Sequence, residues 1–288
     1  MKAPNDMKIQ VISKTNNTMR LIIEGTDAAF MNTLRRIMLT EVPCMAIDDI
    51  FIVENSSVFD DEILAHRLGF VPLVTDLDSY NLPEECTCKS ELGCNLCRVT
   101  LTLDAEATDG KKTLYSGDLV SENPNIKPVS DKILIAKLAP DQRIKLEAYA
   151  RLGKGKNHAK WQPISMCAYK NLPLIDINVE RCSACGECVN VCPQKLLALV
   201  GKRMEIHNLL DCTLCGDCVD ACPAVPAAIK VTGKEEAFVL EYESNGVLSV
   251  ERLMFETLKI LDKKVEDFIS QLATIGTAEQ QQEDKIST

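Results

Sequence analysis

The run "RCSACGECVNVCP", from Arg181 to Pro193, constrains this chain more than any other stretch. Its four cysteines, spaced C-x₂-C-x₂-C-x₃-C and closed by a proline, have the ligand pattern of a cubane iron–sulfur cluster. The pattern occurs twice: Cys182, Cys185, Cys188 and Cys192-Pro193 are followed thirty residues later by Cys212, Cys215, Cys218 and Cys222-Pro223. In such a duplication the fourth cysteine of each run ligates the other cluster. The expected sets are therefore Cys182, Cys185, Cys188 and Cys222 for one [4Fe–4S] cluster, and Cys212, Cys215, Cys218 and Cys192 for a second. Gly186 and Gly216, each after the second cysteine of its run, are expected to let the backbone approach the sulfides closely. Structural zinc or free thiols would leave the eightfold match to ferredoxin spacing unexplained.

The rest of the chain is too large to be a mere carrier of these motifs. It has 288 residues, 46% of them apolar, which is enough for two or three domains with a sizeable core. No run approaches the roughly 18 apolar residues of a membrane span, and "MKAPNDMKIQ" lacks the layout of a signal peptide. Fourteen cysteines in a chain without such a peptide, clustered in C-x₂-C groups, favour metal over disulfides and predict a reducing cytoplasmic setting. A net charge of −10 argues against a freestanding nucleic-acid binder, so no sequence-specific DNA contact is expected.

Along the chain, "MKIQVIS" and "TMRLIIEG" read as strands flanking an Asn16-Asn17 turn. Thr26 or Asp27 then caps the helix "AAFMNTLRRIMLTEV", which Pro43 ends. From about Ile47 to Pro163 short β-rich runs such as "RVTLTLDAEAT" and "RIKLEAYARL" alternate with Pro, Gly and Asn punctuation and suggest a separate α+β insert. After the cysteine-dense segment, Cys167 to Val225, come a strand, "AFVLEYES", and a long helix from about Val250 with Ser249 as N-cap. On that helix Met254, Leu258, Leu261, Val265, Phe268 and Leu272 repeat at spacings of 4, 3, 4, 3 and 4, a narrow apolar seam. The seam either covers the protein's own sheet or invites a partner subunit. The final polar residues, "TAEQQQEDKIST", read as a disordered tail over 276–288.

A second cysteine group, Cys86, Cys88, Cys94 and Cys97 in "CTCKSELGCNLC", offers four soft ligands that would enclose one tetrahedral Zn²⁺; free or oxidisable thiols are the alternative. Cys44 and Cys167 stand alone and read as small core residues. "GKGKNH", Gly153 to His158, imitates a dinucleotide fingerprint but no helix-forming run follows it. Around it Arg143, Lys145, Arg151, Lys154, Lys156 and Lys160 face the single Glu147, a basic island that is either a solvated loop or a docking surface for an acidic partner or nearby nucleic acid. His66, His158 and His207 are scattered, and no catalytic constellation is legible.

The stretch "NTLRRIMLTEVPCMAIDDIFIVENSSVFDDEILAHRLGFVPL", Asn32 to Leu73, resembles the α-like assembly subunits of cellular RNA polymerases, most closely those of the archaeal enzymes. "GKGKNHAKWQP" and "FVLEYESNGVLSVERLMFETLKILDKKVEDF" also look like that family, so the resemblance covers nearly the whole chain. It implies an α+β protein in three parts: a split α-like dimerisation domain (1–46 with 226–275), an α+β insert domain (47–165), and a ferredoxin-like double-cluster domain (166–225). It also implies a heterodimer with the smaller α-like subunit L, through Leu34, Arg35, Arg36 and Met38 on the first helix and Met254, Leu258, Leu261, Val265 and Phe268 on the last. Subunits N, P and B would assemble on that platform, and the polymerase's catalytic Mg²⁺ would be held by another subunit. A cysteine cluster in the insert binds zinc in the eukaryotic counterpart, at a different spacing.

A dedicated ferredoxin needs only about sixty residues, so an electron carrier is the alternative reading and a scaffold with embedded clusters the preferred one. A ferredoxin-fused oxidoreductase would require flavin or nicotinamide fingerprints, and none is convincing. Between Cys182 and Cys222 the large apolar residues are few, so metal ligation is expected to supply much of that domain's stability.

Overall fold

A computed structural model of the chain describes residues 7–90, 93–108, 110–201 and 203–286. It divides into two compact units, one of residues 1–15, 19–33 and 168–241, the other of 16–18, 34–167 and 242–288. Their elements follow from the patterns above. β1 (Lys8–Lys14) and β2 (Thr18–Glu24) form an antiparallel hairpin, and on β2 the alternate residues Met19, Leu21 and Ile23 are buried. The helix α1 (Ala28–Thr40) is capped by Asp27, whose Oδ1 accepts the Phe30 N–H at 2.8 Å. It stops at Thr40 because Pro43 already opens a strand, β3 (Pro43–Asn55).

The larger unit contains the insert. After α2 (Asp61–Gly69) the strands β4 (Arg98–Glu106), β5 (Lys112–Tyr115), β6 (Val120–Ser121), β7 (Leu134–Leu138) and β8 (Arg143–Lys154) form two antiparallel sheets, ordered β3-β8-β4-β6 and β5-β7. Strict alternation places Val99, Leu101, Leu103 and Ala105 of β4 on the same buried face as Ile144, Leu146, Ala148 and Ala150 of β8, with Leu101 opposite Ala148 and Leu103 opposite Leu146. Leu64 and Leu68 of α2 close this core. The long helix α5 (Val250–Ile286) also belongs to this unit. Ser249 Oγ accepts the Arg252 N–H at 3.2 Å, as expected of its N-cap. α5 continues through most of the polar stretch expected as a tail, a composition rich in good helix formers, while residues 287 and 288 lie outside the described residues.

The smaller unit holds the cysteine repeats. β9 (Ile164–Ile177) leads into a segment made of α3 (Glu187–Val191), the hairpin β10 (Leu197–Val200) and β11 (Arg203–Ile206), and α4 (Asp217–Asp220), and β12 (Ile229–Ser244) leads out. β9 and β12 are hydrogen-bonded neighbours in a four-stranded sheet ordered β1-β2-β12-β9. The cysteine segment is therefore an excursion between two adjacent strands. Its core is small: Leu197, Cys218 and Ile229 are fully buried, with Ile175, Ile177, Val189, Met204 and Val231 partly so. The sequence boundaries at 46/47 and 165/166 fall inside the continuous strands β3 and β9, which carry the chain onward without a linker.

Candidate cluster and cysteine sites

Two cavities take in the eight repeat cysteines. Cys182, Cys185, Cys188 and Cys222 line one, walled by Ile177, Met204, Ala228 and Ile229. Cys192, Cys212, Cys215 and Cys218 line the other, against Ile175, Leu196, Leu197 and Val231. The structure thus brings together three cysteines of each run with the fourth of the other. The two loops share one backbone course. Ala184 and Gly186 in the first have φ of 55° and 84°, and Leu214 and Gly216 in the second 60° and 87°. Left-handed residues interleaved in a tight turn gather backbone N–H groups on the concave side, a surface that suits an anionic cluster. Four thiols on an apolar cavity with such a backbone fit an iron–sulfur group, which when bound supplies one-electron chemistry.

Both glycines, Gly186 and Gly216, sit in the left-handed region, at φ of 84° and 87°. No protein atom lies within 4 Å of where a Cβ on either would stand, so among protein groups it is the left-handed φ that favours glycine there. Burial raises the thiols of Cys188 and Cys218, the latter to about 11. Hydrogen bonds from the Ala228 and Ala224 N–H groups lower Cys222.

The insert's cysteines also converge. The Sγ atoms of Cys86, Cys88, Cys94 and Cys97 all lie within 4.8 Å of one another, with 3.7 Å from Cys86 to Cys94 and 3.8 Å from Cys97 to both Cys88 and Cys94. A tetrahedron with metal–sulfur bonds of about 2.3 Å has edges of about 3.8 Å. Gly93, at φ 77°, crosses close to this group, and a Cβ there would stand 3.3 Å from Cys97 Sγ. A hydrogen bond from the Ser90 backbone holds the Cys88 thiol down at about 7, and burial pushes Cys97 up to about 12. Cys44 is a core residue as read, while Cys167 is half-buried: burial raises their thiols to about 12 and about 11, and Cys167 Sγ lies 3.9 Å from Met38 Sδ.

The expected interface residues separate into two groups. Leu34 and Met38 are sealed inside this chain, at 2% and 0% exposure, because the face of α1 that repeats every three to four residues also carries Met31 and Ile37. Of the four α1 residues only Arg35 and Arg36 reach the surface. On α5 the buried residues are Val250, Leu253, Glu256 and Thr257. The seam lies beside them: Met254 and Leu261 are half-buried, and Leu258, Val265, Phe268 and Leu272 are exposed.

The basic island finds internal partners that sequence reading misses. Arg143 pairs with Asp104 at 2.9 Å, Lys145 with Asp104 at 3.4 Å and Lys156 with Glu41 at 3.9 Å, while Arg151 and Lys160 both grip the half-buried Asp48. Gly153 and Gly155 serve packing: a Cβ would stand 2.3 Å from the Trp161 ring at the first and 2.3 Å from the Leu39 carbonyl oxygen at the second. Among the described residues no helix is long and apolar enough to cross a membrane.

Residues 46–169 match the family described as the RNA polymerase Rpb3/RpoA insert domain, and residues 174–223 match the 4Fe-4S dicluster domain. An insert of the first kind joined to a domain of the second defines an α-like polymerase subunit with an iron–sulfur segment. The chain is 38% identical over 92% of its length to DNA-directed RNA polymerase subunit Rpo3 of Methanosphaera stadtmanae, covering 98% of that protein. It is 39% identical over 90% of its length to Rpo3 of Archaeoglobus fulgidus, covering 96%, and 36% identical over 94% to Rpo3 of Pyrococcus horikoshii, covering 99%. The chain belongs to the Rpo3 family of RNA polymerase assembly subunits.

Proposed function

We propose that this chain is the platform subunit on which a cytoplasmic DNA-directed RNA polymerase is assembled. It pairs first with the smaller α-like subunit L, and the pair then receives subunits N, P and B. In this reading the chain works as three parts: a dimerisation domain formed by both chain ends, an insert domain, and a ferredoxin-like domain. Arg35 and Arg36 of α1 and the α5 seam, Met254, Leu258, Leu261, Val265 and Phe268, form the surface for subunit L. Cys182, Cys185, Cys188 and Cys222 hold one [4Fe–4S] cluster, and Cys192, Cys212, Cys215 and Cys218 a second. Cys86, Cys88, Cys94 and Cys97 hold one Zn²⁺, a reading supported by their sulfur separations near a tetrahedral edge.

The observation that carries the functional reading is that the cysteine excursion leaves and re-enters through adjacent strands, β9 and β12. Two neighbouring strands can pair whether or not the segment between them is ordered, so clusters placed there can tune later assembly steps without dictating the first. Stepwise assembly with apo and cluster-loaded protein tests this. Cys185→Ser with Cys215→Ser, or exposure to oxygen, is expected to weaken addition of the larger subunits while pairing with subunit L persists. Apo protein that loses subunit L as readily as the others, or that builds whole polymerase as well as the loaded form, refutes the proposal.

A further inference from the structure

The two cysteine sites are not held alike. Leu209–Asp211 form a short 3₁₀ turn immediately before Cys212, and this turn is gripped from the sheet. Arg20, on β2, donates from Nη2 to the Leu210 carbonyl oxygen at 2.7 Å, a contact across 190 residues of sequence. Its Nη1 pairs with Asp211 Oδ1 at 2.8 Å, and its Nε lies 3.6 Å from Glu241 Oε2 on β12. The Arg20 side chain is 20% exposed, while Asp211 and Glu241 keep 43% and 41% of theirs in water, so the guanidinium is held on one side by the protein and the carboxylates face solvent. A second cation, Lys170 on β9, donates from Nζ to the Cys212 carbonyl oxygen at 2.9 Å. Beyond the cysteine, Leu214 rests on β12: a Cβ added to Gly233 would stand 3.4 Å from Leu214 Cδ1 and 2.6 Å from Asn171 Cβ. Three strands of the sheet therefore fix the backbone on both sides of Cys212.

The first site is held by its own loop and by the end of β9 and the start of β12, and none of the residues lining it lies on β2. Asn178 Oδ1 accepts the N–H groups of Glu180 and Arg181, each at 3.1 Å, and the Asn178 carbonyl oxygen accepts the Cys182 N–H at 3.1 Å. Asn178 N–H itself donates to the Ala228 carbonyl oxygen at 2.8 Å, within the same excursion. The contacts of Asn178 with residues 180–182 are short-range turn contacts of the kind an Asn makes with its following backbone, and the bond to Ala228 continues the pairing of β9 and β12 by one step.

We infer that Arg20 and Lys170 are positioning residues for the second cysteine site, so that its occupancy, and not that of the first, is transmitted to β2. The inference rests on the two-cluster reading above. Arg20 presents a planar fork to a carbonyl and a carboxylate together, a geometry that lysine reproduces in part and glutamine loses with the charge. When the second site is filled, Cys212 is tethered from both sides and the Leu210–Cys212 carbonyls stay in place for the two cations. When it is empty, the turn loosens and β2 loses a partner.

The test uses the full chain, reconstituted anaerobically, with iron analysis, electron paramagnetic resonance of the reduced protein and hydrogen exchange. Wild type is expected to hold about eight irons and to give the broadened spectrum of two interacting clusters. Arg20→Gln and Lys170→Met are expected to fall toward about four irons and the simple spectrum of one isolated cluster, with Arg20→Lys in between. Asp211→Asn, altered on the loop side, should act in the same direction, which guards against a general failure of β2 to fold. Exchange across Thr18–Glu24 should quicken in Cys215→Ser and stay at the wild-type rate in Cys185→Ser. Retention of both clusters in Arg20→Gln and Lys170→Met, or an equal response of β2 to the two cysteine changes, overturns this inference and leaves the two-cluster reading standing. A wild-type chain that takes up iron for one cluster or none overturns both.

Discussion

Phe268 lies 61% exposed on the α5 seam, and truncating it to alanine isolates what the seam contributes to pairing. A phenylalanine side chain presents about 200 Å², so the fraction open in this chain is about 120 Å², worth about 3 kcal/mol if a partner covers it at about 25 cal/mol per Å². Phe268→Ala should therefore weaken binding of subunit L by roughly 100-fold. Because the ring is already in water in the unpaired chain, the variant's own thermal unfolding should stay within about 0.5 kcal/mol of wild type. Titration calorimetry between separately purified subunits reads the affinity, and Lys263→Ala, on the opposite face of α5, is the control. The paired change Leu261→Asp with Val265→Asp is harsher, since it asks a desolvated surface to take two carboxylates; size-exclusion chromatography of co-expressed chains should show no heterodimer. An unchanged dissociation constant for Phe268→Ala, or an intact complex with the double aspartate, would remove the seam from the interface.

Three further outcomes are expected. With all eight repeat cysteines replaced, metal analysis should still find one zinc per chain, and Cys97→Ser should abolish it; a zinc-free protein before the second change rejects the tetrahedral site. Gly155→Ala should lower stability by about 1–3 kcal/mol, because its Cβ would enter the backbone carbonyl of Leu39 and not a movable side chain; an unshifted denaturation midpoint would contradict this. Glu24 has its carboxyl held below the usual range by a hydrogen bond from Lys234 at 2.6 Å. Its contribution is therefore present above the unfolded carboxylate's pKa and lost as pH falls through the lowered folded value; Lys234→Met should return the Glu24 titration, followed by NMR, to the ordinary range.

What can be read from the sequence is what is encoded locally. The grouping of Cys222 with Cys182, Cys185 and Cys188 follows from a spacing within one short segment, and the Asp27 and Ser249 caps from residues three positions away. The misreadings involve partners distant along the chain. In sequence the basic island faces only Glu147, because Asp48, Asp104 and Glu41 reach it across strand pairing and chain folding. Leu34 and Met38 have the same helical spacing as a partner-binding stripe, and periodicity alone does not tell a face turned inward from one turned outward. Arg20 carries no signal, since its carbonyl partner lies 190 residues on. The left-handed φ of Gly186 and Gly216 is likewise not readable from the cysteine spacing, which marks a need for glycine without giving the backbone angle.

The excursion between β9 and β12 is what makes cluster status a graded influence. Roughly fifty residues separate Ile177 from Ile229, and closing a loop of that length costs about 3.5 kcal/mol when it is wholly flexible. Against this, Phe238, Val239 and Leu240 of β12 are buried at 1%, 2% and 0% exposure, each worth about 1.5–3 kcal/mol, and Phe238 meets Tyr169 of β9 edge-on at 5.9 Å. The sheet can therefore close over an unfolded cluster segment. Loss of iron should then leave β9 and β12 paired, and its effect on the rest of the subunit must pass through particular contacts between segment and sheet. The grip of Arg20 and Lys170 on the turn before Cys212 is such a contact, and it places the sensitivity at the second site.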